Sequence, residues 1–116
     1  MKTAIHLERL LTGDDQAPER QLAVFAYVQL GVIDSLASGL LSASDAVRVF
    51  YNADNCLFVR KRLEDKMADN LMSHGVQLPD LFTVLPIEEA HRQFQHELAD
   101  MRTLCLKLLE ERRLVA

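Results

Sequence analysis

Apolar and polar positions along the chain are organised around one stretch, Gln21–Leu36. From Leu22 to Ile33 every residue except Gln29 and Gly31 is apolar, and no other run matches it. Pro18 suits the first turn of a helix, where its missing N–H costs nothing, and Gly39 supplies a stop. The span between them, roughly 20 residues, makes a helix of about 30 Å. Wrapped at helical period, Leu22, Phe25, Ala26, Leu30, Val32, Ile33 and Leu36 share one broad face. Arg20, Tyr27, Gly31 and Asp34 form a narrow, leaner edge, while Ala23, Val24 and Val28 are apolar outside the main face. A helix apolar on nearly every side is a buried one, since each large side chain left in water forgoes about 1.5–3 kcal/mol. The stretch is long enough for a bilayer, but it holds Gln29 and the carboxylate of Asp34. The neighbouring amphipathic segments also need it as their core, so no membrane span is expected.

The remaining periodicities place other helices around it. Thr3–Leu11 carries Ile5, Leu7, Leu10 and Leu11, enough for a short helix, with a strand as the alternative. A polar loop from Thr12 to Asp15 follows. Ser42, Ser44 and Asp45 signal a second long helix start, and His74 followed by Gly75 signals its stop. Within that span the apolar face slips. Ala46, Val49, Phe50, Ala53 and Leu57 define one face, and Cys56, Val59, Leu63, Met67 and Leu71 another about 100° away. A kink, bulge or break is expected near 52–56, with Asn52 or Asp54 able to cap a second segment; a continuous helix twisting around its neighbours is the alternative. Residues 76–85 read as an apolar connector, with one helical turn after Pro79 and its side chains plugging one end of the bundle. Pro86 opens the last helix. In it Ile87, Ala90, Phe94, Leu98, Met101, Cys105 and Leu108 recur at threes and fours, and Leu104 and Leu109 widen the stripe. Arg112 and Arg113 suit its negative pole.

These patterns predict an all-α fold: one domain, an antiparallel helical bundle of three long helices and a short N-terminal one, the third kinked or broken. Composition agrees, with 116 residues, half of them apolar, and few glycines or prolines. The net charge of −4 argues against a nucleic-acid surface. Arg60, Lys61 and Arg62 form one basic run, answered by Glu64 and Asp65 at helical ion-pair spacing. Cys56 and Cys105 each fall on an apolar face, and the N-terminus lacks a hydrophobic leader. Both thiols are therefore expected to be free, in a reducing cytoplasm.

Candidate chemistry is sparse. Glu88 and His91 make a single E-x-x-H, whereas di-iron bundles use two with further glutamates; no metal or other cofactor is expected. Arg92 and His96 are one residue short of the arginine–histidine spacing of HEPN ribonuclease-like bundles. His74 reads as a helix-end cation and His96 as exposed. Tyr27, Gly31 and Asp34 line one edge of the central helix, where Gly31 leaves a flat spot for another helix or a ligand. They are the candidate ligand-binding residues if the protein is an enzyme or small-ligand binder with a pocket there.

Partners follow from geometry. Two long neighbours at about 8–10 Å between axes cannot cover a helix that is apolar almost all round. Val47, Tyr51 and Phe58 form a secondary stripe, Leu106 lies off the main face of the last helix, and Leu81 and Phe82 sit in the connector. These six are the expected partner-binding residues. The favoured reading is a non-enzymatic protein–protein interaction module that self-associates through apolar helix faces, most simply as a homodimer.

Overall fold

The computed structural model describes residues 4–11 and 17–111. These residues form an all-α structure, with no strand among them. In chain order the elements are α1 (Leu7–Leu11), α2 (Pro18–Ala37), α3 (Ala43–Val49), α4 (Ala53–Phe58), α5 (Lys66–Gln77), α6 (Leu81–Val84) and α7 (Ile87–Glu111). A π-helical turn, Val59–Leu63, extends α4, and a 3-10 turn, Leu78–Asp80, links α5 to α6.

The central helix spans 20 residues, with Pro18 in its first turn. It ends in a Schellman motif: Leu40 N–H bonds Ser35 C=O at 2.9 Å and Gly39 N–H bonds Leu36 C=O at 3.3 Å. Gly39 makes this turn at φ 82°, a backbone region costly to residues with a Cβ. Long α7 lies along α2. The two run antiparallel, because the C-terminal end of α2 stands beside His91, Phe94 and Gln95 while Asp34 bonds Arg102 farther along. The inner stripe of α7 is Ala90, Phe94, Leu98, Met101, Cys105 and Leu108, all buried. Ile87, read from sequence as its first member, stands at the first residue of the helix and is 62% exposed.

The expected second long helix, third in chain order, is instead several short pieces. α3 ends at Val49, and α4 restarts at Ala53 under Asn52, whose side-chain oxygen accepts from Asn55 N–H at 3.0 Å. This break falls where the two faces slip, and it turns the rings of Phe50 and Tyr51 into the core. Phe50 stacks on Phe25 at 6.4 Å, and Tyr51 meets Phe50 edge-on at 5.1 Å. A second break was not foreseen. Glu64 takes a left-handed conformation, φ 49°, and Asp65 caps α5 by accepting from Ala68 N–H at 3.0 Å. Glu64 and Asp65 are thus a helix end and a helix start, not successive members of one ion-paired helix. Arg60 reaches Asp69 at 3.6 Å, and Arg62 lies over the Phe58 ring at 5.6 Å.

Gly75 also differs from its expected role. It lies inside α5 and is buried, and the Tyr51 ring packs on it so closely that a Cβ there would come within 2.3 Å of ring carbons. The connector plugs the fold as expected at Leu78, which is 2% exposed. The N-terminal segment is shorter than expected, with five helical residues preceded by Ile5, whose N–H bonds Val49 C=O at 2.8 Å. The Thr12–Asp15 loop and Arg112–Arg113 lie outside the described residues.

Two buried polar side chains tie the pieces together. Asn55 accepts from Leu7 N–H at 3.0 Å and donates to the carbonyls of Ile5 and Phe50, each at 2.8 Å. One side chain thereby joins α1, the α3–α4 break and α4. Gln29, fully buried in α2, accepts from the Tyr51 hydroxyl at 2.9 Å, with its amide nitrogen 3.5 Å from Met72 Sδ. Burial pushes the Tyr51 phenol well above its ordinary pKa, so it remains a hydrogen-bond donor. Both thiols are free. Burial pushes Cys105 up to about 12 and raises Cys56 as well, against the opposing charges of Arg102 and Arg60 respectively. Neither is a ready nucleophile.

Candidate functional site

Two surfaces stand out once the core is closed. The first is the outer face of α2. The helix buries Leu22, Phe25, Ala26, Gln29, Val32, Ile33 and Leu36, but Tyr27, Gly31 and Asp34 are exposed, and Val24, Val28 and Leu30 are only partly covered. Tyr27 is 54% exposed. Nothing lies within 4 Å of where a Cβ on Gly31 would be. Asp34 bonds Arg102 of α7 at 2.7 Å. Leu106 lies one turn beyond Arg102 and Leu30 one turn before Asp34, so the antiparallel packing sets these two leucines at the same height. Leu106 is 46% exposed. The result is an outer face that carries Tyr27, Gly31 and Leu30 on α2 and Leu106 on α7, bordered by an ion pair.

The second surface is a groove of about 650 Å³ beyond the C-terminal end of α2. Leu36, Leu41, Phe82 and Phe94 form its apolar walls, and Ser42, Thr83, His91 and Gln95 supply polar groups. The Phe82 ring meets Phe94 edge-on at 5.3 Å and His91 at 5.2 Å. Three strongly exposed side chains, Leu40 at 83%, Val84 at 76% and Ile87 at 62%, belong to the segments that wall this end. A smaller cleft of about 380 Å³ adjoins the connector, lined by Leu78, Leu81, Val84, His74 and Glu97. There His74 Nδ1 is 3.1 Å from Glu97 Oε1.

The sequence-derived site residues divide accordingly. Tyr27, Gly31 and Asp34 share one edge as expected, but none of them lines the cavities described above. Of the partner-binding set, Leu106 is exposed, Val47, Leu81 and Phe82 are partly buried, and Tyr51 and Phe58 are buried at 1% and 7% exposure. Tyr51 and Phe58 therefore do not form surface with Val47. Their supposed stripe assumed one straight helix, and the break at Phe50–Asn52 rotates them inward. Glu88 and His91 are both exposed, with His91 against Phe82. Sequence reasoning missed the groove, because it is assembled from three separated segments and leaves no local trace. Among the described residues no helix is long and apolar enough to cross a membrane, and no group of three or more His, Cys, Asp or Glu is placed to hold a metal ion. Neither a scan against protein-family models nor searches of curated proteins and solved structures finds a match to this chain.

Proposed function

We propose that the chain is a non-enzymatic protein–protein interaction module that forms a homodimer through apolar helix surface, in a reducing compartment where its free thiols persist. The carrying observation is that the helix at the centre of the core keeps an open face, with Tyr27 54% exposed and empty space over Gly31. A glycine in a helix interior costs roughly 0.5–1 kcal/mol relative to alanine. At Gly31 no neighbouring side chain, no backbone approach and no positive φ within one copy uses the missing Cβ. A surface that gives up helix stability for a smooth spot beside exposed tyrosine and leucine is suited to close helix packing.

The end groove favours a second reading, an enzyme or small-ligand binder. Its volume falls in the range of about 300–1,000 Å³ typical of ligand pockets. That pocket lies past Leu36, not beside Tyr27 and Asp34. Native mass spectrometry of the purified chain separates the two. Twice the 13.2 kDa chain mass is expected. A strictly monomeric species carrying a bound small molecule overturns the first reading and supports the second.

A further inference from the structure

We infer that two copies pair through antiparallel α2 helices, with the two-fold axis passing at Tyr27; this rests on the self-association proposed above. Arg20, Tyr27 and Asp34 lie on one exposed stripe of α2, the arginine seven residues before the tyrosine and the aspartate seven after. An axis perpendicular to the helix at Tyr27 sets Arg20 of each copy at the height of Asp34 of the other, so two opposite-charge pairs form at once. A parallel pairing would instead face arginine with arginine and aspartate with aspartate, which is repulsive. Charge therefore selects both the direction and the register.

The same register accounts for Gly31. It brings Val24 of the second copy within one residue's rise of Gly31, so a side chain half-buried in its own protomer enters the space that the glycine leaves open. Leu30 comes level with the second copy's Val24, and Leu106 widens the apolar strip from α7. Asp34 Oδ1 already accepts from Arg102 Nη1. Its Oδ2 is then the acceptor for the second copy's Arg20, which makes a network of two guanidinium groups about one carboxylate. A strip about 30 Å long and one helix face wide buries an area toward the lower end of stable interfaces. The dimer is thus expected to be sensitive to single changes at its centre.

Charge reversal tests the register. In an Arg102→Ala background, which removes the intrachain partner of Asp34, Arg20→Glu or Asp34→Arg is expected to weaken dimerisation by about tenfold or more, and the two together to restore it to within about threefold of that background, as read by sedimentation equilibrium. Gly31→Leu is expected to dissociate the dimer without lowering the thermal midpoint of the monomer, since the space over Gly31 is empty. In a Cys56→Ser background, Tyr27→Cys is expected to form a disulfide-linked dimer on mild oxidation, because a residue on the axis meets its own copy. If the wild-type chain is a dimer but ignores both charge reversals and Tyr27→Cys fails to cross-link, this geometry is wrong while self-association stands. If the wild-type chain is a monomer at every concentration, the self-association reading itself fails.

Discussion

Gly75→Ala is expected to be among the most damaging small substitutions in this chain. A Cβ at that position would sit 2.3 Å from two carbons of the Tyr51 ring. The ring has nowhere to go, since Tyr51 is 1% exposed, meets Phe50 edge-on and has its hydroxyl fixed on Gln29. Overpacking of this kind costs about 3 kcal/mol at the upper end of its usual range, against about 1 kcal/mol gained from the better helix propensity of alanine. Urea denaturation should show a clear fall in midpoint. The penalty should shrink in a Tyr51→Leu background, because the two sites share one space. An unchanged or raised midpoint for Gly75→Ala would show that the ring does not lie on this glycine.

The second large effect is expected at Asn55. Its carboxamide serves one backbone N–H and two backbone carbonyls, and Asn55→Ala would leave all three groups without that partner. Each buried group so stranded costs about 1–3 kcal/mol, and water reaching Ile5 would offset part of the total. A loss of about 3–5 kcal/mol is expected, together with faster amide exchange at Leu7. Asn55→Asp should not rescue stability: it keeps an acceptor for Leu7 N–H but turns oxygen toward two carbonyls. Retained protection at Leu7 in Asn55→Ala would mean that α1 is held by packing alone.

Both residues show where the sequence was legible and where it was not. The apolar run of α2, its Pro18 and Gly39 boundaries and the inner stripe of α7 from Ala90 onward follow from period and capping, and the structure has them. The break at Asn52 was readable because an apolar face cannot slip within one straight helix without leaving large side chains in water. The break at Glu64 was not, because Glu64 and Asp65 fit helical ion pairing as well as they fit a cap. Gly75 after His74 looked like a stop, and only the packing of Tyr51, 24 positions earlier in the chain, explains a glycine inside α5. Gln29 was the overlooked signal: a polar residue on the most buried face of an apolar helix requires a buried partner, and Tyr51 is that partner. Of the candidate surface, the α2 edge was visible in the helical pattern. The end groove was not, because Leu41, Phe82 and Phe94 are brought together only by the fold.

The central claim is that α2 keeps an open apolar face that a second copy covers. Association that stabilises the folded chain makes thermal stability depend on protein concentration. The most direct measurement is therefore the midpoint of thermal unfolding followed by circular dichroism over a hundredfold range of concentration. The account predicts a midpoint that rises by several degrees across the range, with the rise abolished by Gly31→Leu. A midpoint independent of concentration, in a chain that sediments at 13.2 kDa throughout, would contradict it.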